Sequence, residues 1–202
     1  MLDLSQYKAI IFDMDGTLID SMPAHLKAWE TASQLHHFKY DALWLHALGG
    51  MPSKEIVQKI NEQQSLQLDP NAVSHSKSQA FNQLRAQCKA IPSTAAIVKQ
   101  CYGQQKLAIG SGSQRHNVEA ILKANQLDRY FDVIVSANDV MQHKPHPATF
   151  LKAAQLMNIP ANECLVFEDT QLGIHAALAA HMDVIQVDTQ GKLLPLVKAF
   201  SA

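Results

Sequence analysis

Four short clusters of polar residues along the chain are of the types that act in catalysis. They are Asp13-Met14-Asp15-Gly16-Thr17, Ser111-Gly112-Ser113, His143-Lys144-Pro145 and Glu168-Asp169. Carboxylates can attack phosphorus to form acyl-phosphates, and they can also donate or accept protons. A hydroxyl, backbone N–H groups and an ammonium together bind phosphate oxygens. The clusters therefore predict phosphoryl chemistry, provided that the fold brings them together.

The carboxylates divide into reacting groups and metal ligands. Asp13 is well placed to be a nucleophile, and Asp15 could serve as general acid and base if its surroundings raise its pKa. Crowded carboxylates repel one another unless a cation joins them. Asp13 and Asp169 offer the oxygen donors that suit Mg²⁺, which keeps waters for a phosphate to displace. We therefore expect Mg²⁺ as cofactor. Glu168 has an alternative reading as a helix cap.

The groups that we expect to bind phosphate follow the second and third of the predicted strands, Lys106–Gly110 and Asp132–Ser136. Ser111 and the backbone N–H groups of Ser111, Gly112 and Ser113 lie where we expect a helix to begin, which favours an anion. Lys144 supplies positive charge for the phosphate oxygens. Ser111 has a competing reading as a turn residue, and Lys144 as an exposed loop lysine. We expect Ser113 to cap the helix.

The hydrophobic pattern predicts the elements that position these clusters. Five segments are apolar on both faces, as in a covered parallel sheet, and from the second onward one helix-length stretch separates each from the next. This alternation is typical of a doubly wound, Rossmann-like α/β core, whose ligands sit at the carboxyl ends of the strands. The predicted strands are Tyr7–Phe12, Lys106–Gly110, Asp132–Ser136, Cys164–Phe167 and Asp183–Val187, and the predicted helices are Ser113–Asn125, Pro147–Met157, a helix capped by Thr170 that runs through Ala180, and Leu193–Phe200.

Residues 21–90 break this alternation. They contain no convincing strand, and a crossover between parallel strands needs only about a dozen residues. We therefore predict an α-helical cap over 21–90, inserted into a catalytic core of 1–20 and 91–202. The helical patterns in the insertion lie near Pro23–Leu35, Asp41–Leu48, Ser53–Gln63 and Pro70–Ala90.

Composition excludes several classes of protein. Seventeen basic against eighteen acidic residues give a net charge of -1, which argues against nucleic acid or anionic lipid as a partner. No apolar run approaches the roughly 18 residues of a membrane helix, and Met1–Lys8 lack a secretory signal pattern. The three scattered cysteines fit a reducing cytoplasm. We expect a cytoplasmic monomer or weak dimer.

The clusters resemble, in order and spacing, the four motifs of the haloacid dehalogenase superfamily, and the insertion resembles its type-one cap. The matching residues are Asp13–Leu18, Ser111, Lys144-Pro145, and Glu168-Asp169 with Gly173-Ile174. Within the superfamily, the chain resembles the β-phosphoglucomutase-like group, nearest to bacterial phosphatases of fructose 1-phosphate and 6-phosphogluconate. That similarity lies in Phe12–Ser21, His25 with Ala28-Trp29, and Val166–Thr170.

The resemblance implies a role for each core residue. Asp13 would be the nucleophile, Asp15 the acid and base, and Mg²⁺ would be held by the side chains of Asp13 and Asp169 and the backbone carbonyl of Asp15. Glu168 would support the metal or the lysine. The transferring phosphoryl group would be bound by Ser111 and Lys144.

The resemblance also extends into the cap. His25 matches a family histidine at the cap hinge that helps to position the acid and base, although a packed or surface histidine is an equal reading. Lys77 matches a lysine that touches substrate phosphate, although a solvated helix face is the more common fate. We interpret His143 and His146, which flank Lys144, as loop residues.

The stretch Gly50-Met51-Pro52-Ser53-Lys54 bears on the reaction. The mutase of this group has an arginine there to hold a second phosphate, whereas this chain has Ser53, and Lys54 should point elsewhere if a helix follows. We therefore predict a Mg²⁺-dependent phosphatase of small sugar phosphates, such as fructose 1-phosphate or 6-phosphogluconate, acting through an aspartyl-phosphate. The alternative is a β-phosphoglucomutase that interconverts glucose 1-phosphate and glucose 6-phosphate.

Other classes fit less well. A phospho-acceptor receiver module lacks a large insertion after its first strand, and its acceptor aspartate follows a later strand. A silent binding protein is disfavoured because every chemical group is present. A dehalogenase is disfavoured because Asp15 is present.

Overall fold

The computed structural model describes residues 2–199 and has a central six-stranded sheet flanked by helices. A two-stranded ribbon joins the helical insertion to this core. The strands are β1 (Ala9–Phe12), β2 (Ile19–Asp20), β3 (Lys89–Ala90), β4 (Lys106–Gly110), β5 (Val133–Val135), β6 (Cys164–Glu168), β7 (Asp183–Val187) and β8 (Leu193–Val197). The α-helices are α1 (Met22–His36), α2 (Ala42–Ala47), α3 (Ser53–Gln64), α4 (Pro70–Leu84), α5 (Pro92–Cys101), α6 (Arg115–Ala124), α7 (Ala148–Met157) and α8 (Gln171–Ala179).

The strand order β5-β4-β1-β6-β7-β8 confirms the predicted doubly wound core. Strand β1 is fully buried and pairs in parallel with both β4 and β6. The chain moves outward from β1 to β4 and β5, and then crosses to β6 on the other side. This reversal of strand order opens a crevice beyond the carboxyl ends of β1 and β6, the usual ligand site of such sheets. Asp13 and Asp169 lie there, directly after the two strands.

The predicted helix Leu193–Phe200 is wrong over residues 193–197, which form β8, and Phe200 lies outside the described residues. Strand β8 is antiparallel to β7 at the sheet edge, with an irregular register between Val187 and Ile185. Pro195 is compatible with either element, because proline is tolerated both in the first turn of a helix and in an edge strand. The free edge of β7 explains the difference, since residues 193–197 pair with it. The apolar neighbours of Pro195 add one more strand to the sheet.

Three hydrophobic cores hold the elements in place. Two lie on opposite faces of the sheet: one contains Phe12 and Ile109, and the other contains Ile11 and Phe150. The third lies among the helices between β2 and β3 and contains Trp29. Within residues 2–199, no helix combines the length and apolar character that a membrane crossing requires.

A short antiparallel ribbon, which the sequence pattern did not predict, joins the insertion to the sheet. Ile19 pairs with Ala90, and Asp20 pairs with Lys89. The chain segments that enter and leave the insertion are therefore bonded to each other. Movement of the insertion must bend both segments together.

Candidate active site

A buried cluster of charged side chains lies at the carboxyl ends of β1 and β6. Lys144 Nζ donates to Asp13 Oδ1 at 2.5 Å and to Glu168 Oε1 at 2.8 Å. Lys144 is 1% exposed and Glu168 is 0% exposed, so neither is the surface residue that an ordinary loop lysine or glutamate would be. The alternative reading of Lys144 as an exposed loop lysine is therefore wrong.

Glu168 is held from two sides. Its Oε1 accepts from Lys144, and its Oε2 accepts from the backbone N–H and the hydroxyl of Thr170, at 2.6 Å and 3.0 Å. Thr170 also caps α8, as predicted, by accepting from the N–H of Gly173. A Cβ at Gly173 would overlap the Glu168 carboxylate, so only glycine lets α8 approach this closely. Both oxygens of Glu168 are thus engaged.

Three carboxylates crowd the same place. Oxygens of Asp13, Glu168 and Asp169 all lie within 4.8 Å of one another, close enough to hold a single metal ion. Burial raises the pKa of Asp13 to about 7. The charge of Lys144 works to lower this pKa, and the negative charges of Glu168 and Asp15 work to raise it. Burial and the neighbouring carboxylates also raise the pKa of Asp169, although Thr17 donates to it at 2.8 Å. One lysine does not neutralise this cluster, so a divalent cation fits it.

Asp15 accepts three hydrogen bonds, from Ser21 Oγ at 2.6 Å, Ser113 Oγ at 2.6 Å and His25 Nε2 at 3.1 Å. Burial works to raise the pKa of Asp15, but the hydrogen bonds that His25, Ser113 and Ser21 donate to the carboxylate outweigh it. The pKa is therefore held below its usual range. Asp15 is therefore ionised in this structure. The sequence analysis expected it to act as an acid only if its pKa were raised, and here the pKa is not raised.

A chain of contacts runs from Lys77 in the insertion to Asp15. Lys77 Nζ lies 2.7 Å from His25 Nδ1. An ammonium only donates, so Nδ1 is the acceptor and the ring proton sits on Nε2, from which it is donated to Asp15. Burial and the Lys77 charge lower the pKa of His25, which agrees with a neutral ring. Phe81 stacks on that ring with centroids 4.0 Å apart.

Lys77→Met should make the protein more stable near pH 7 and less active. Burial lowers the pKa of Lys77 from 10.5 to about 8, against the attraction of Asp15. Because the pKa of Lys77 is lower in the folded than in the unfolded protein, the charged lysine lowers the free energy of unfolding. This cost is full below about pH 8, the folded pKa, and disappears above about pH 10.5, the unfolded pKa. We expect the free energy of unfolding to rise by up to about 3 kcal/mol near pH 7. Thermal unfolding near pH 7 and pH 10 measures it.

The matched control for Lys77→Met is Lys59→Met, because Lys59 is exposed on α3 and pairs with Glu62 at the surface. Activity of the Lys77 variant should fall because His25 loses the donor that sets its tautomer. A lower unfolding midpoint for Lys77→Met than for Lys59→Met near pH 7 would contradict the prediction.

The loop Ser111–Ser113 differs from its prediction. The Ser111 N–H donates to Val135 O at 2.9 Å, and the Ser111 hydroxyl accepts from the Ser113 N–H at 3.0 Å. Helix α6 begins at Arg115, and its N-cap is Gln114 without a side-chain bond. The helix-capping role for Ser113 and an anion site using all three N–H groups at a helix start are therefore wrong. Ser113 instead donates to the Asp15 carboxylate.

A cavity of about 220 Å³ lies between the insertion and the carboxyl ends of the strands. Asp13, Asp15, His25, Lys77 and Gly112 line it, whereas Ser111 and Lys144 are buried beside it. The cavity therefore brings together residues that are far apart along the chain.

The insertion closes this cavity through a glycine contact. A Cβ on Gly112 would overlap the carbonyl oxygen of Gly50, and Gly50 itself has φ +87°. Ser53 and Lys54 both line the cavity at the start of α3. The expectation that Lys54 points elsewhere is wrong, because this exposed residue contributes to the cavity lining together with Ser53.

A family model of haloacid dehalogenase-like hydrolases matches residues 10–187. The chain belongs to this family. It is therefore a hydrolase, and the resemblance of its four motifs to that superfamily is confirmed. The match spans the helical insertion and the sheet from β1 to β7, but it does not include β8.

Relatives share this organisation over nearly their full length. The chain is 39% identical over 182 residues to a fructose-1-phosphate phosphatase of Escherichia coli, covering 90% of this chain and 97% of that protein. A hydrolase structure from Pseudomonas syringae is 26% identical with a TM-score of 0.82, covering 89% of this chain and 84% of its own. A β-phosphoglucomutase from Clostridium difficile has the same TM-score and coverage at 23% identity, which shows a common fold.

Proposed function

We propose that this haloacid dehalogenase-like hydrolase is a Mg²⁺-dependent phosphatase of small sugar phosphates that works through an aspartyl-phosphate on Asp13. The observation that supports it best is the pairing of Asp13 with a buried Lys144 at the edge of an enclosed cavity. The fructose-1-phosphate phosphatase of Escherichia coli supports the substrate class. We also propose the domain division made from the sequence, a core of 1–20 and 91–202 and a cap of 21–90.

Mg²⁺ would be held by the side chains of Asp13 and Asp169 and the backbone carbonyl of Asp15. Glu168 would support Lys144, because both of its oxygens already accept hydrogen bonds. When bound, Mg²⁺ supplies positive charge for the phosphoryl oxygens. The raised pKa values of Asp13 and Asp169 support this choice, because a group of carboxylates that repel one another gains from a cation.

The proposed reaction has two steps. A carboxylate oxygen of Asp13 attacks phosphorus, the bond to the sugar oxygen breaks, and Asp15 gives its proton to that oxygen. Water then attacks phosphorus, Asp15 takes a proton from it, and inorganic phosphate leaves while Asp13 is regenerated. Lys144 and the Ser111 hydroxyl would bind the phosphoryl oxygens, with the Gly112 N–H beside them.

Asp15 must gain a proton before it can act as an acid. In this structure it accepts from Ser21, Ser113 and His25 and is ionised. We propose that the sugar oxygen displaces at least one of these donors as substrate enters, which raises the pKa of Asp15. His25 and Lys77 are positioning residues in this scheme because they act through Asp15.

Activity should disappear with a chelator and return with Mg²⁺, more weakly with Mn²⁺, while Ca²⁺ should inhibit. Few carboxylates with waters suit a small octahedral ion better than a larger one. Since Asp13 has a pKa raised to about 7, metal binding must release protons, and Mg²⁺ affinity should fall as the pH drops through 7. Calorimetry in two buffers of different ionisation enthalpy measures that release. Full activity after chelation, with metal content checked, would contradict the proposed site.

A phosphate-release assay over phosphorylated metabolites tests the function, with fructose 1-phosphate and 6-phosphogluconate as expected substrates. The mutase alternative is tested with β-glucose 1-phosphate and a trace of glucose 1,6-bisphosphate. No arginine of residues 2–199 lines the cavity, and Ser53 is uncharged. Lys77 is engaged with His25, and Lys54 offers a single point charge without the two-pronged hydrogen bonding of an arginine. We therefore expect inorganic phosphate to form faster than glucose 6-phosphate. The opposite order would favour the mutase.

A further inference from the structure

His143, which precedes Lys144, has a buried atom without a partner. The residue lines the cavity between sheet and insertion, and its Nδ1 has no hydrogen-bond partner among the described residues. Leaving a buried polar atom unpaired costs about 1–3 kcal/mol, so such atoms are uncommon unless a ligand or water completes them. Ser74 Oγ, on α4, is a second unpartnered atom among the cavity-lining residues.

The other ring nitrogen of His143 faces the insertion. Its Nε2 lies 3.6 Å from Oε1 of Glu55 on α3, too long for a hydrogen bond but close enough to favour a proton on Nε2. In the neutral ring that proton leaves a lone pair on Nδ1, which is then an acceptor. With the ring in this tautomer, the partner that completes Nδ1 is a donor. A fully ionised phosphate has no donor, whereas a sugar has several hydroxyls.

We infer that His143 is a specificity-determining residue whose Nδ1 accepts a hydrogen bond from a substrate hydroxyl close to the phosphorylated carbon. Asp13, the proposed nucleophile, lines the same cavity as His143, so we expect the selected hydroxyl on the part of the substrate that lies near the reacting phosphorus. Because Glu55 belongs to the insertion, the same ring lies between the core and the insertion. This inference rests on the proposed phosphatase function and narrows its substrates to phosphate esters with a nearby free hydroxyl.

Two substitutions at His143 distinguish the roles of its two ring nitrogens. The His143→Gln amide can occupy the Nε2 position facing Glu55, and Nδ1 is lost. The His143→Asn side chain places an amide oxygen near Nδ1, and the contact with Glu55 is lost. The control is His146→Gln, because His146 is exposed on the other side of Lys144 and bonds the Ala148 N–H at 3.2 Å.

The measurement is the ratio of kcat/KM for fructose 1-phosphate to kcat/KM for p-nitrophenyl phosphate, whose leaving group has no aliphatic hydroxyl. One lost hydrogen bond predicts a ratio about tenfold lower in His143→Gln. His143→Asn should keep the ratio within about threefold, and His146→Gln should leave it unchanged. Thermal unfolding establishes that each variant folds, and His143→Ala replaces His143→Gln if the latter does not.

A ratio that stays at the wild-type value in His143→Gln would overturn the inference, as would an equal loss on both esters, which indicates a structural role. Failure of the proposed function looks different. In that case the wild-type protein with Mg²⁺ releases phosphate from neither ester, and no ratio can be formed.

Discussion

Asp13→Asn should lower kcat by more than about 10⁴-fold while the protein stays folded. A neutral amide neither attacks phosphorus nor holds a cation as a carboxylate does, so nucleophile and metal ligand are lost together. The fold should persist because burial already raises the pKa of Asp13 to about 7, so that its charge costs stability above that pH. The unfolding midpoint in chelator near pH 8 should therefore be no lower than that of the wild type.

Asp15→Asn is the comparison that separates the two aspartates. Acid and base assistance is worth about 10²–10⁴-fold, so steady turnover should also fall in this variant. With p-nitrophenyl phosphate, however, the leaving group needs no proton, and Asp13 can still be phosphorylated. Stopped-flow absorbance should show a burst of p-nitrophenolate for Asp15→Asn and none for Asp13→Asn. A burst from Asp13→Asn, or near-normal turnover, would remove Asp13 as the nucleophile.

Much of this architecture could be predicted because parallel strands leave strong signals. Strands Lys106–Gly110 and Asp183–Val187 have the predicted bounds, since both are short buried apolar runs between polar segments. Asp13 and Asp169 were expected at one edge because the carboxyl ends of parallel strands meet there, and the crevice between β1 and β6 confirms that placement.

Other features depend on contacts that no local pattern contains. Strand β8 was mistaken for a helix because its apolar residues fit either element, and only the free edge of β7 decides between them. The ionised state of Asp15 depends on Ser21, Ser113 and His25, which meet it only after folding. Burial alone would favour the protonated form of Asp15. The direction of its pKa shift therefore depends on the three hydrogen-bond donors that the fold places around it.

Three supporting residues were missed as site residues. Thr17 donates to Asp169, Ser21 donates to Asp15, and the hydroxyl of Thr170 donates to Glu168. Each is a hydroxyl residue close in sequence to an aspartate or glutamate. That proximity was a usable signal, but serine and threonine near acidic residues are also common in turns and helix caps.

Lys144→Met should both inactivate the protein and destabilise it, and Mg²⁺ should repair only the stability. Lys144 Nζ touches Asp13 and Glu168 and lies 4.6 Å from the ring centroid of Phe150. Burial works to lower the pKa of Lys144, but the two carboxylates outweigh it and raise the pKa, so the ammonium is charged throughout the accessible range. Methionine keeps the packing of the stem and removes the charge, which leaves two buried carboxylates without their cation.

Breaking a buried ion pair by removing one partner costs about 3–5 kcal/mol, and we expect a loss of that size in chelator. The loss should be largest above pH 7 and smaller as the pH falls, because protonation of Asp13, whose pKa is already raised to about 7, removes one of the uncompensated charges. Lys123→Met, at an exposed position on α6, is the control for loss of one positive charge.

The effect of Mg²⁺ on Lys144→Met separates structure from chemistry. A cation held by Asp13 and Asp169 replaces part of the missing charge, so the unfolding midpoint should rise with Mg²⁺ more in this variant than in Lys123→Met. Turnover should stay at least about 10²-fold below wild type, because no ammonium then stabilises the charge that develops on the phosphoryl oxygens. If Mg²⁺ restored activity as well as stability, Lys144 would act only by holding the carboxylates together, and its place in phosphoryl transfer would have to be given up.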